Sequence, residues 1–207
     1  MSQFFHIHPD NPQQRLIVHS VEIIRKGGVI VYPTDSGYAL GCHLGDKQAV
    51  TRIRQIRRLD DRHHLTLVCS DLSQIATYAR LDNSNYRLLK AHTPGAYTFI
   101  LEATREVPRR LLHPKRKTIG LRVPDNSIAQ ALLRELGEPL MSTTLILPGE
   151  ELPHTDPYEI RELLEHDVDL VIDGGFCGFE PTTVVDLTGD IPQVIREGAG
   201  DISPFKI

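Results

Sequence analysis

The chain has 207 residues, 40% hydrophobic and 24% charged, with a formal net charge of −4. That is ordinary globular composition, enough for one large domain or two small ones. It holds no apolar run near the ~20 residues of a membrane helix, and MSQFFHIHPDN lacks the basic start and apolar core of a secretory signal. The three cysteines, Cys42, Cys69 and Cys177, are far apart and odd in number. They fit a reducing, cytoplasmic setting and form no metal-ligand pair.

Apolar periodicity predicts alternating helices and strands. Asn11-Pro12 has the form of a helix start, Leu16, Ile17, Val21 and Ile24 give a buried stripe, and Gly27-Gly28 stops it. Residues 29–32 then read as a buried strand. Asp46 can cap a second helix that faces Ala49, Val50, Ile53 and Ile56 inward and throws Arg52, Arg54 and Arg58 outward. Residues 65–69 form a strand, and Asp71 caps a short helix after it. Strands follow over 97–103 and 119–123. Asn126 or Ser127 caps a helix reaching Leu136, which Gly137 closes. Residues 140–144 read as a central strand. Asp156-Pro157-Tyr158-Glu159 has the residues of a capping box, with Glu159 reaching back to the cap. Strands over 168–172, 183–187 and 193–196 complete a mixed α/β sheet with helices around it.

Charge is uneven along the chain. Arg52, Arg54, Arg57, Arg58 and Arg62 lie together with His63 and His64, and Arg105, Arg109, Arg110, Lys115, Arg116, Lys117 and Arg122 make a second basic cluster. The acidic balance comes late, from Glu150 to Asp173. Basic patches on an acidic chain still attract phosphate, although scattered, solvated surface charge explains such clusters equally well. Arg52, Arg58, Arg62, Arg109, Arg110, Lys115, Arg116 and Lys117 are the candidate phosphate-binding patch.

Several strand ends carry polar groups suited to a ligand. The strand at 29–32 runs into Pro33-Thr34-Asp35-Ser36-Gly37-Tyr38, and ligands commonly bind at such ends. A tight turn would use the same residue types. Thr93-Pro94-Gly95-Ala96-Tyr97-Thr98 opens another strand on a turn whose glycine permits close backbone approach. Arg122 sits between apolar neighbours and needs a carboxylate or phosphate partner. Ser142-Thr143-Thr144 puts three hydroxyls at a buried strand end, where they could donate to phosphate oxygens.

In this order the segments resemble the YrdC-like family. Tyr32-Pro33-Thr34-Asp35 through Leu40-Gly41 matches its opening YPTDTVYGL motif, and Thr93 to Thr98 resembles its PGPxT turn. Leu121-Arg122-Val123-Pro124 matches its VRxP strand, and PTTVVD and IREG match its closing strands. The likeness covers about residues 14–200 as a single domain, with residues 1–13 an extension expected to add a strand. It implies a twisted mixed sheet with flanking helices around a large, basic, concave cavity. Active members make threonylcarbamoyl-AMP from ATP, L-threonine and bicarbonate, with Mg2+ entering alongside ATP, for modification of adenosine 37 in tRNA. It also implies RNA, tRNA or double-stranded, as a partner.

By the same resemblance Thr34 lines the amino-acid pocket with Tyr38 in its loop, Arg122 serves the phosphates, and Thr98 and Arg196 hold their motif positions. Four positions depart. Where the family has KxRPxxxPL, the lysine is Arg57 and the arginine is Leu59; where it has STSAN, Ser142 is kept, the second serine is Thr144 and the asparagine is Ile146. Departure of pyrophosphate needs cations and donors fixed on the phosphates. Leu59 and Ile146 supply neither, so weak or absent synthase activity is expected. A binding module without catalysis, or a hydrolase of the adenylate with His63 or His64 orienting water, are the other readings.

Overall fold

The computed structural model describes residues 1–60 and 65–206, so Arg62, His63 and His64 lie outside the described residues. Ten strands form one mixed sheet: β1 (Gln3–His6), β2 (Ile30–Thr34), β3 (Gly37–His43), β4 (Thr66–Val68), β5 (Tyr97–Glu102), β6 (Thr118–Arg122), β7 (Leu140–Thr144), β8 (Leu170–Asp173), β9 (Thr183–Asp186) and β10 (Gln193–Arg196). Their order is β1-β8-β2-β3-β7-β4-β6-β5-β9-β10. β8 pairs parallel with β1 and β2, as do β4 with β6 and β5 with β9; the other pairs are antiparallel. The helices among the described residues are α1 (Gln14–Arg25), α2 (Lys47–Arg57), α3 (Leu72–Tyr78), α4 (Asn83–His92), α5 (Ser127–Leu136) and α6 (Pro157–Leu164).

Local chemistry sets most helix starts. Asp46 accepts from Ala49 N, Asp71 from Gln74 N and Asn126 from Ala129 N, at 2.8–3.0 Å. Each cap contributes about 0.5–2 kcal/mol. Gly137 closes α5 at φ 76°, a left-handed conformation that glycine adopts without penalty. Two sequence expectations need correction. α1 begins at Gln14, with Gln13 at its cap and no side-chain bond there, so Pro12 precedes the helix. Asp156 caps α6 through Tyr158 N, but Glu159 lies 3.6 Å from His154 Nδ1 and completes no capping box.

The two faces of the sheet are covered differently. One bears Val31, Leu40, Leu67, Phe99, Leu121, Met141, Val171 and Val185, packed with Ile53 of α2, Ile75 of α3, Leu89 of α4 and Ile160 of α6. The opposite face has a smaller core. There Ile30, Tyr32, Ala39, Val68, Leu140, Leu170 and Ile172 pack under Ile17, Val21 and Ile24 of α1 and Ile128, Leu132 and Leu133 of α5. These two helices lie against each other and reach β2 and β3. The same face continues across β4, β6, β5, β9 and β10, where polar and half-buried side chains replace the apolar set.

Candidate functional site

The uncovered half-face is the floor of a cavity of about 610 Å³. Strand register explains which residues reach it. Side chains two apart share a face, so Thr66, Thr98, Ile100, Thr118, Arg122, Thr182, Val184 and Asp186 all line it. Across the strands one row runs Gly41, Ser142, Thr66, Gly120, Ile100, Asp186. Gly120 makes the central gap in this row. A Cβ there would lie 3.3 Å from both Thr66 Oγ1 and Thr98 Cγ2, so any side chain would fill the floor between them.

The β2–β3 hairpin walls one end. Thr34 pairs with Gly37 around Asp35-Ser36. Thr34 Oγ1 donates to Gly37 O at 2.6 Å and accepts from Ser36 N at 3.2 Å. Its proton therefore closes the turn, and Thr34 meets a ligand as an acceptor. Tyr38 donates to Gly175 O at 2.6 Å and accepts from Gly174 N at 3.2 Å, so its hydroxyl holds the segment after β8 against the hairpin. Gly37, at φ 128°, has Gly178 O where a Cβ would come within 2.8 Å, so this position admits only glycine. Burial pushes the Cys177 thiol on this segment up to about 11.

Ser142 lines the cavity as a brace. It donates to Leu40 O at 2.9 Å and so accepts from Tyr32 OH at 2.8 Å. Burial pushes the Tyr32 phenol up to about 12 despite that bond. Thr143 and Thr144 also line the wall.

Three arginines line the cavity, each already engaged. Arg122 is buried and paired with Asp35, with 8% and 13% of the two side chains exposed. Arg122 Nε and Asp35 Oδ2 are buried without partners among the described residues, so the pair holds one unused donor and one unused acceptor. Arg196 gives Nε and Nη2 to Thr182 O at 3.2 and 2.8 Å, and burial lowers its affinity for its proton. Thr182 Oγ1 lies 2.9 Å from Thr98 Oγ1. Arg116 Nη1 meets Asp186 Oδ2 at 3.3 Å, and Thr188 N and Oγ1 hold Asp186 Oδ1 at 2.9 and 2.6 Å.

The other predicted basic residues do not converge here. Arg52 binds Asp169 Oδ2 at 2.9 Å and Asp167 O at 3.0 Å. Arg58 is exposed and borders a separate groove with Leu147 and Leu163. Arg110 donates to Leu44 O and Gly45 O, while Arg109, Lys115 and Lys117 are exposed. Arg57 is turned into the protein. It donates to Ile146 O, its Nε is buried without a partner among the described residues, and burial lowers its proton affinity. Leu59 packs on the core. Of the Thr93–Thr98 motif only Thr98 reaches the cavity; Thr93 and Pro94, joined by a cis bond, border a second cleft.

The cavity residues His113, Thr182, Asp186 and Ile195 are not singled out as site residues by the sequence. Same-face alternation within PTTVVD could have found Thr182 and Asp186, whereas His113 and Ile195 carry no signal at that level.

Residues 22–198 match the Sua5, YciO and YrdC family profile, described as "Telomere recombination". The chain belongs to this family. It is 65% identical to the uncharacterized protein YciO of Escherichia coli K12 over 205 residues, covering 99% of this chain and 100% of that one. The crystal structure of E. coli YciO superposes with a TM-score of 0.96 at 64% identity, covering all of both chains. The threonylcarbamoyl-AMP synthase of Idiomarina loihiensis is 33% identical over 179 residues, 84% of this chain and 94% of that protein. P. abyssi Sua5 complexed with L-threonine shares the fold, with a TM-score of 0.87 at 24% identity over 95% of this chain and 58% of that one. No helix among the described residues is long and apolar enough to cross a membrane.

Proposed function

We propose that the cavity binds a nucleotide of the acyl-adenylate type, threonylcarbamoyl-AMP or a close relative, and that ATP-driven synthesis of it is weak or absent. Kinship with the synthases supports the ligand class. The observation that carries the catalytic half is Arg57. The cation at the family lysine position binds the backbone of Ile146, the residue at the family asparagine position, and neither lines the cavity. The positions that would hold a departing pyrophosphate are thus bonded to each other. Binding can persist through Thr34, Arg122 and Arg196 while the rate falls, because only contacts stronger in the transition state speed the reaction.

Mg2+ would enter with ATP. Among the described residues no group of three or more His, Cys, Asp or Glu side chains stands ready for an ion. The metal would therefore ride on phosphate oxygens and water, the usual mode for Mg2+, with Asp35 Oδ2 the nearby buried carboxylate oxygen that lacks a partner. RNA is the proposed larger partner. Arg109, Lys115 and Lys117 are exposed, the two lysines next in sequence to the cavity residue Arg116, and phosphate contacts through them would make affinity fall steeply with salt. Three cysteines without a disulfide support a cytoplasmic setting.

The test is pyrophosphate release from ATP, L-threonine and bicarbonate, run beside an active synthase, with Arg57→Lys, Leu59→Arg, Thr144→Ser and Ile146→Asn combined in one variant. One lost transition-state contact of this kind costs roughly 10²–10³ in rate. Turnover in the unmodified chain equal to the synthase would refute the proposal; a gain of that size in the fourfold variant supports it.

A further inference from the structure

The two edges of the sheet differ. β10 is irregular, its register with β9 shifting between Val194 and Arg196, at Ile195. β1 pairs with β8 in unbroken parallel register from Gln3 to His6. Gln3 N donates to Asp169 O and Ile7 N to Asp173 O, both at 2.9 Å, so the odd residues turn their peptide groups toward β8. Alternation then aims the N–H and C=O of Phe4 and His6 away from the sheet. The open stretch is closed at both ends: Ser2 N donates to Glu165 O at 2.8 Å and His8 N to Gln13 Oε1 at 3.0 Å. Phe4 and His6 thus leave two donors and two acceptors without partners among the described residues.

That set of groups is complementary to itself. Antiparallel strands bond through alternate residue pairs that exchange both N–H···O bonds. A second β1, turned about a two-fold axis through Phe5, sets Phe4 against the partner's His6 and His6 against the partner's Phe4, so every open group is bonded. Centring on Phe4 or on His6 instead would face His6 to Ser2 or Phe4 to His8, whose N–H groups are already used. The side chains match in the same register. Beside α6, the rings of Phe4, His6 and Tyr158 lie 5.0–6.0 Å apart, with the Arg161 guanidinium 4.9 Å from Phe4. His6 and Tyr158 are still 64% and 54% exposed. Beside α1, Phe5 stacks on His19 at 5.9 Å and would meet the partner's Phe5. Aromatic cross-strand pairs of this kind stabilise a ladder. Gln3-Phe4-Phe5-His6 has no lysine or proline to keep another strand off. Covering these rings and the strand between them in both copies removes on the order of 1,000 Å² from water, the low end for a specific interface.

We infer that the β1 edge is the docking surface for a second copy of this chain, the two joining antiparallel about Phe5 into one continuous sheet. The small area makes this a concentration-dependent dimer. β1 lines no part of the cavity, so the interface is separate from the ligand site.

The experiment is analytical sedimentation of the full chain and its His6→Ala and His6→Pro variants, from low to high micromolar concentration. Both variants lose the imidazole, but only proline also loses the outward N–H, and an edge strand tolerates proline on that side. The parent should dimerise. His6→Pro should weaken the dimer roughly tenfold more than His6→Ala, because one hydrogen bond is lost in each copy. Cross-linking reads the register. Residues opposite each other in a non-hydrogen-bonded pair have Cα atoms about 4.5 Å apart, within reach of a disulfide. In a Cys177→Ser background, with Cys42 and Cys69 buried, diamide should link Phe5→Cys chains into covalent dimers and leave Phe4→Cys chains unlinked. If His6→Pro fails to fold, the cross-link decides alone. A parent that stays monomeric throughout, a folded His6→Pro variant that dimerises as well as His6→Ala, or Phe5→Cys linking no faster than Phe4→Cys would overturn the proposal.

Discussion

The two halves of one sheet face make the sharpest contrast in the molecule. Under α1 and α5 the face presents Ile30, Tyr32, Leu140, Leu170 and Ile172, all fully buried. A few strands away the same face presents Thr66, Thr98, Thr118, Thr182 and Asp186 around Gly120, and no helix among the described residues covers it. The backbone ladder is continuous through both halves. Side-chain chemistry alone decides which half takes a roof and which stays open to a ligand. The open half offsets much of the cost of its buried polar groups internally, by hydroxyl pairs and two Arg–Asp pairs, and leaves Arg122 Nε and Asp35 Oδ2 without partners among the described residues.

The contrast can be broken from either side. The largest effect belongs to the open half: Arg122→Ala should destabilise by about 3–5 kcal/mol in urea unfolding, because Asp35 is left buried and unpaired. The Arg122→Ala, Asp35→Ala double variant should be more stable than Arg122→Ala alone; equal or lower stability would mean that the carboxylate reaches water. On the covered half, Leu132→Ala should cost about 2–5 kcal/mol without altering ligand affinity, since Leu132 is fully buried and does not line the cavity. Gly120→Val should invert that pattern. Calorimetry should find ligand binding lost through the filled floor, with a stability change of about 1–3 kcal/mol. Alkaline titration should show a smaller, graded effect. Cys42 and Tyr32 keep their protons to about 12 in the fold, above their ordinary 9.0 and 10.0. The native state then binds more protons than the unfolded chain across that window. Stability complete below pH 9 should decline as pH rises toward 12, and Cys42→Ala should lessen the slope.

The sequence made the covered half more legible than the open one. Helical spacing revealed the stripe of α1 and the caps of α2, α3 and α5, since these are local signals. β3 was missed because Gly37 and Gly41 interrupt any strand pattern; its stability comes from burial on both faces. α4 was missed as well, because only Leu89 of its ten residues is fully buried. In the open half, family motifs identified Thr34, Thr98, Arg122 and Arg196 as cavity residues. They could not show that the Thr34 and Ser142 protons go to backbone carbonyls, or that Arg57 turns toward Ile146, because those partners are remote in sequence or fixed by the turn. The two basic clusters also looked alike in sequence. The partners of Arg52 and Arg110 lie 115–117 and 65–66 residues away, and they make these side chains braces.

The irregularity in β10 has an effect beyond the cavity. β10 ends the sheet, and a straight edge strand offers its unpaired N–H and C=O groups to any passing chain. The register shift at Ile195 falls within a strand of four residues, so the outer rim has no regular run of peptide groups for a stranger to zip onto. An isoleucine can therefore stand exposed at this border without making the border adhesive.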